Sequence, residues 1–328
     1  MLDFLSLNLT DLSQYLVDAN KRIYWGYLFS ALALAIPVFL AQKSQKFQNK
    51  SVVNFFRFVF PKNIYTARSA RHDYALLVFN KLIKAALFPV VAVTMVPIAL
   101  AVSGGLEALF GYFEHFQLST TAVIAIFTFL LFIVDDFTRF LLHYLLHKVP
   151  ILWEFHKVHH SAEVMTPFTI YRSHPVESYL YACRMALTQG FVVGVCYYFL
   201  GPTLQMFDIL GANAFVFIFN IMGSNLRHSH IWLSWGDKIE GWFISPAQHQ
   251  IHHSTNPKHF DVNLGSALAI WDRMINNLVK ASSVKSLSIG LGNSVDHSSL
   301  WQIYLDPLRR AGKRIVRKLG IKQTKTAP

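Results

Sequence analysis

The chain has 328 residues, 53% of them hydrophobic, and a mean hydropathy of +0.34. That is too apolar for an ordinary soluble domain and fits an integral membrane protein with one catalytic unit. The formal net charge of +12 therefore reads as membrane topology and not as a nucleic-acid footprint, while Cys183 and Cys196, both inside an apolar run, leave no disulfide framework and no C-x-x-C motif.

In chain order, five apolar segments are expected as membrane helices, at about 23–41, 84–103, 121–142, 176–200 and 204–222. Each is near the ~20 residues that cross a hydrocarbon core. The N-terminus carries Asp3 and Asp11 and lacks the basic start of a signal peptide, so the first span is expected to persist. Residues 42–83 hold Lys43, Lys46, Lys50, Arg57, Lys62, Arg68, Arg71 and Lys81 against one acid, Asp73, which puts that loop in the cytoplasm. Within it, 51–60 is too short to span and reads as an interfacial amphipathic piece or a buried packing helix. The connection 104–120 has Glu107 and Glu114 but no Lys or Arg, as an external loop should. Arg184 and Gln189 interrupt the fourth span, and such a charge is expected to face protein or water. Threading the remaining spans leaves 143–175 and 223–328 cytoplasmic. Trp25, Trp232, Trp235 and Trp242 suit aromatic belts, and the tail residues Arg309, Arg310, Lys313, Arg314, Arg317 and Lys318 are expected to bind anionic headgroups or to be solvated.

Three histidine clusters follow the apolar segments: His143-Tyr-Leu-Leu-His147, His156-Lys-Val-His159-His160 and His249-Gln-Ile-His252-His253. Residues three and four apart share a helix face, so each cluster can aim imidazoles at one point. An adjacent pair diverges by roughly 100° around a helix and suits two ions side by side. Eight imidazoles exceed the needs of one metal, and imidazole suits iron, zinc, copper and nickel. Ser245-Pro246 is a plausible helix start for the third cluster. Asn225-Leu-Arg-His228-Ser-His230 offers a ninth ligand, with His228 favoured over His230. His174 has three open roles: a tenth ligand, a partner behind the ligands, or a headgroup contact. Asp136, Glu154, Glu177 and Asp261 are candidates to receive the second nitrogen of ligand histidines. His72, His115, His259 and His297 stand outside any spacing and are expected to be structural or solvated.

These residues resemble the sterol desaturase and fatty acid hydroxylase superfamily of integral-membrane, non-haem di-iron oxygenases. The matching stretches are Asp136-Phe…His143…His147, Leu152-Trp-Glu-Phe-His156-Lys-Val-His159-His160-Ser161, Arg172-Ser-His174-Pro and Ser245-Pro-Ala-Gln-His249-Gln-Ile-His252-His253-Ser254, completed by Asp261-Val-Asn263-Leu-Gly265 and Trp271-Asp272-Arg273. The likeness covers about residues 120–280; the first hundred residues match only as apolar spans. Tyr144 stands where the family often has Arg, and Ile275-Asn-Asn-Leu where members commonly read Phe-Gly-Thr.

The resemblance implies O2-dependent hydroxylation or desaturation of a lipid (sterol, fatty acyl chain, carotenoid or ether lipid). It implies two iron ions held by His143, His147, His156, His159, His160, His228, His249, His252 and His253, with His174, Asp136 and Asn263 as catalytic candidates. With no fused haem domain and no iron–sulfur cysteine set, electrons are expected from a separate ferredoxin- or cytochrome-type donor. The expected fold is all-α: a multi-span membrane bundle with a cytoplasmic helical cap carrying the histidine boxes. Residues 1–119 would form the N-terminal spans and basic loop, 120–280 the catalytic domain and 281–328 a basic tail.

Three rivals remain. A di-zinc membrane hydrolase would need a catalytic Glu beside the cluster, as in H-E-x-x-H, and no box contains one. A haem protein has no use for H-H doublets. A non-catalytic metal-binding or transport protein tends to place its ligands near the bilayer midplane, not past the helix ends.

Overall fold

The computed structural model describes residues 2–292 and 299–319, and His297 lies outside them. In chain order the helices are α1 (Leu2–Gln14), α2 (Trp25–Leu40), α3 (Val52–Val59), α4 (Lys62–Tyr65), α5 (Arg68–Leu87), α6 (Met95–Phe110), α7 (Thr120–Lys148), α8 (Pro150–His160), α9 (Pro175–Leu200), α10 (Ala214–Ile221), α11 (Gly236–Ile239), α12 (Pro246–His252), α13 (Ile270–Met274) and α14 (Leu300–Lys318). The one departure from the all-α expectation is small: Asp208–Ile209 pairs antiparallel with Ala212–Asn213, and two isolated bridges occur elsewhere.

Among the described residues only α7 and α9 are individually long and apolar enough to cross a membrane, and α5 with α6 make a third candidate bent by 45°. The expectation of five spans is therefore corrected. Helix α2 has 16 residues, about 24 Å of rise against a ~30 Å hydrocarbon core. The 84–103 segment is broken after Leu87 by a tight turn through Pro89, which has no N–H to continue the helix. The 204–222 segment opens with the small hairpin and leaves only eight residues for α10. The loop expected at 104–120 is helical as far as Phe110.

Glycines let α6 and α9 meet. A Cβ at Gly190 would stand 2.8 Å from the Met95 carbonyl, and one at Gly194 would stand 2.6 Å from that of Ala99. This is close backbone approach through small residues four apart. Helices α7 and α9 are joined by polar bonds. Arg184, the charge that interrupts the fourth expected span, faces protein: it donates to Asp135 and to Thr138 Oγ1, both at 2.8 Å. Because α8 and the 161–174 segment connect the C-terminal end of α7 to the N-terminal end of α9, the histidine-bearing stretch sits at one end of this pair.

In α3, Phe58 and Val59 are buried with Phe39 of α2, while Val52, Val53, Phe56 and Phe60 stay exposed. The short segment is thus both packed and amphipathic. The region expected as a separate basic tail instead packs as α14 along α8. Its Ile303 is fully buried with Leu76 and Val158, and Arg314 bonds Glu154 at 2.7 Å.

Candidate metal centre

Each cluster is set by local signals. Helix α7 carries His143 and His147 in its last two turns; Val149 ends it and Pro150 opens α8, which carries His156, His159 and His160. Gly223, at φ +96°, turns the chain into the short 3-10 turn Ser224–His228. Helix α12 starts as expected: Ser245 Oγ accepts from Gln248 N, Gln248 Oε1 accepts from Ser245 N, and Pro246 takes the first helical position.

These elements bring all nine candidate histidines together in two groups. His143, His147, His156, His160 and His252 form one, and His159, His228, His249 and His253 form the other; within each, one ring nitrogen per residue lies within 4.8 Å of all the rest. Each group could hold one metal ion. Both adjacent doublets are split between the groups, as the ~100° divergence requires. In the first group His156 Nε2 lies 3.1 Å from His143 Nε2 and 3.2 Å from His160 Nε2. In the second, His228 Nε2 lies 3.2 Å from His159 Nε2 and 3.0 Å from His249 Nε2. The inward Nε2 atoms of His147 and His252, and both ring nitrogens of His253, have no hydrogen-bond partner among the described residues. Buried lone pairs converging without donors are what a metal satisfies.

Five of the outward Nδ1 atoms donate to fixed acceptors. His143 donates to Leu264 O at 2.7 Å, His252 to Val262 O at 2.9 Å and His159 to Arg172 O at 3.2 Å. His156 donates to Glu177 at 2.9 Å and His147 to Asp261 at 3.0 Å. A donating Nδ1 fixes the tautomer that presents the Nε2 lone pair inward. His249 is the exception: Arg227 Nη2 donates to its Nδ1 at 3.0 Å, so the ring's own proton sits on Nε2 and a metal there must displace it. Burial, the leading cause, pushes His156 and His159 down to about 3 and holds His160, His228, His249, His252 and His253 well below the ordinary imidazole range. The cluster is a set of neutral nitrogen donors.

The remaining candidates have other tasks. His174 caps α9: its Nδ1 accepts from Val176 N at 3.1 Å and its Nε2 donates to Tyr304 O at 3.0 Å, leaving no nitrogen for a metal. Asp136 meets no histidine; it accepts from Ala267 N, Leu268 N and Trp271 Nε1 at 2.8–3.0 Å. Glu154 binds Lys157 and Arg314 instead of a ring. Asn263 adopts φ +53°, a left-handed conformation Asn tolerates. Its side chain ties Gln248 O to Val279. Of the four candidate carboxylates, for each of which an ion-pair or capping role is the favoured alternative on sequence alone, Glu177 and Asp261 reach histidines, and Asp136 and Glu154 do not among the described residues. His230 lies outside both groups, donating to Phe58 O at 2.7 Å. His72, His115 and His259 are outside them as well.

Sequence reasoning missed Arg227 against His249. It also missed Asp272, which accepts from Leu264 N and Gly265 N and so braces the loop that holds His143. Only the Trp-Asp-Arg stretch signalled the latter. Trp153 was a third omission, its ring 5.1 Å from His147 and 5.4 Å from His160.

Comparison with known proteins agrees with this geometry. Residues 128–277 match the family model "Fatty acid hydroxylase". The chain is 27% identical to an ornithine lipid hydroxylase of Rhizobium tropici, over 57% of this chain and 52% of that protein. It is 26% identical to an alkylglycerol monooxygenase of Danio rerio, over 53% and 35% respectively. It is 30% identical to a Delta(7)-sterol 5(6)-desaturase of Aspergillus fumigatus, over 57% and 48%. The chain thus spans about half or less of the length of these relatives. No solved structure matches it. Residues 128–277, a little under half of the chain, are thus similar to the fatty acid hydroxylase family, and the similar proteins include a lipid hydroxylase, a monooxygenase and a sterol desaturase of the sterol desaturase and fatty acid hydroxylase superfamily.

Proposed function

We propose that this chain is an integral-membrane, non-haem di-iron oxygenase that hydroxylates or desaturates a lipid with O2 and electrons from a separate ferredoxin- or cytochrome-type donor. The observation that carries the reading is the five-plus-four convergence of nine imidazoles at the end of the α7–α9 pair. His143, His147, His156, His160 and His252 would hold one iron, and His159, His228, His249 and His253 the other. When bound, such a pair supplies the O2-dependent oxidation of an unactivated C–H bond, which side-chain acid–base chemistry cannot perform.

The protein's own part is orientation and exclusion of water. Carbonyls of Val262, Leu264 and Arg172 and the carboxylates of Glu177 and Asp261 lock five rings by their Nδ1 protons. His156, His160, His252 and His253 are each no more than 5% exposed, so bulk water is kept from the cluster. The basic stretch 42–83 and basic α14 support a cytoplasmic position for this end.

The test is labelling with 18-O2 of membranes that do and do not contain the chain, with lipid extracts compared by mass spectrometry and metal measured after anaerobic, iron-replete purification. The reading expects iron, and in a hydroxylated product a label that derives from O2. Zinc with label entering from water would replace it with the hydrolase.

A further inference from the structure

A cavity of about 290 Å³ lies directly against His143, His156, His159, His228 and His249. A site for the middle of a hydrocarbon chain or a sterol ring should be walled by apolar side chains. This wall instead carries four cations, Arg22, Lys84, Arg139 and Arg227, against one carboxylate, Glu177, with Ser173, Ser178, Ser224 and Ser266 between them. The Glu177 carboxylate is engaged by His156 through Oε1. Arg139 has its own partner, Asp135, at 2.6 Å, which Arg184 shares.

The other three cations have no carboxylate partner among the described residues. Arg22 donates only to the amide oxygen of Asn220. Arg227 donates to the carbonyls of Ser266 and Gly265 and to His249, and its Nε, buried, has no partner. Among the described residues no hydrogen bond or salt bridge engages the Lys84 ammonium, although the Glu177 carboxylate acts on it from beyond salt-bridge distance. Burial, then the like charge of Arg139, pushes Arg22 down to about 10. Cations that outnumber the carboxylates of a partly buried cavity, and that make no salt bridge to them, are costly unless an anion completes the set. Two bound metal ions would add to the excess.

A second cavity of about 300 Å³ shares Arg22, Arg139, Ile170 and Ser266 with the first and is walled on its far side by Phe132, Asp135 and Asp136 of α7 and by Val216, Phe219 and Asn220 of α10.

We infer that an oxyanion headgroup of the lipid, carboxylate or phosphate, is bound by Arg22, Lys84 and Arg227 beside the histidines, and that the oxidised carbon lies within a few bonds of that headgroup. The fate of the lipid rests on the oxygenase reading; its binding does not.

The test measures equilibrium binding of oleate, dioleoyl phosphatidate, oleyl alcohol and inorganic phosphate to the full-length, iron-loaded protein in an uncharged detergent. It is repeated for Arg22→Gln, Lys84→Gln and the charge-retaining Arg22→Lys. Either anionic lipid should bind at least about tenfold tighter than oleyl alcohol, and each Gln variant should lose about tenfold, with Arg22→Lys closer to wild type and iron content unchanged. Equal binding of oleyl alcohol, unchanged binding by both Gln variants, or inorganic phosphate binding as tightly as phosphatidate would each overturn the inference. Labelling with 18-O2 separates the two readings. A neutral lipid oxidised as readily, or oxygen found far down the chain, sinks the headgroup inference and leaves the oxygenase standing. Anionic lipid bound through these cations, with neither a labelled hydroxylated product nor a desaturated one, does the reverse.

Discussion

Asp73 Oδ1 accepts from Arg172 Nε at 2.6 Å across 99 positions of sequence, and neither residue is more than 1% exposed. Thr169 donates to the other carboxylate oxygen, and the Arg172 guanidinium also donates to Ser69 and to Ser161. The Arg172 carbonyl in turn receives His159 Nδ1. The pair therefore clamps α5 to the segment behind the second histidine group. Asp73→Asn keeps the shape and removes the charge, leaving a buried guanidinium unpaired. A loss of about 3–5 kcal/mol is expected, seen as an earlier thermal transition and weaker retention of metal in detergent. Unfolding at the wild-type temperature would mean the ion pair does not hold this region.

The two-group arrangement makes the doublets separable. His159→Ala and His160→Ala should each lower bound iron from about two per chain to about one or fewer, because each removes a donor from a different group. His230→Ala should leave iron unchanged, since its ring donates to Phe58 O, away from both groups. Iron quantified per chain is the readout, and full occupancy in His160→Ala counts against the assignment. The four-donor group also contains the ring that must shed an Nε2 proton. A chelator titration should therefore empty it first, with His159→Ala removing the earlier phase.

How much of this was legible beforehand depends on range. The i, i+3 and i, i+4 spacings showed which rings could share a face, and the H-H doublets showed that two ions were needed, because both are properties of a single helix. Ser245-Pro246 likewise announced α12 through local capping chemistry. What could not be read were partners distant in sequence. Asp136 was one of four candidate carboxylates for a histidine's second nitrogen, yet it accepts from the 267–268 backbone instead. Asp73 looked like a stray acid in a basic loop. Hydropathy also overcounted the spans, since 204–222 is apolar enough to cross but turns back at Leu210 and Gly211, whose positive φ angles make the hairpin. The departure Ile275-Asn-Asn-Leu is put to use too: Asn277 donates to Asp261 O, bracing the residue that holds His147.

Removal of metal should expose a sharp acid sensitivity. His156 and His159 have folded values near 3, far below the ordinary 6.5, so the unfolded chain binds protons that the folded one refuses. Their contribution is complete above pH 6.5 and is lost as the pH falls from there toward 3, by up to about 1.4 kcal/mol per pH unit for each ring. Metal-stripped protein should melt progressively earlier below pH 6.5, while the iron-loaded form resists until protons compete for the ligands. Thermal unfolding of both forms between pH 5 and 8 checks this, and a flat profile for the stripped protein would show the rings to be hydrated.

Helix α14 is the last element whose reading changes. Its basic residues suggested a tail lying on headgroups, but Ile303 fills a buried site against Leu76 of α5 and Val158 of α8, between His156 and His159. At the next residue, the Tyr304 carbonyl receives His174 and its hydroxyl donates to Asn80. The helix therefore backs the same wall that orients the second histidine cluster. Ile303→Ala should cost about 2–4 kcal/mol and lower iron retention, whereas Arg317→Gln, on an exposed position of the same helix, should change neither. If the two variants weaken membrane association equally and leave melting and iron alone, α14 acts as a headgroup tail after all.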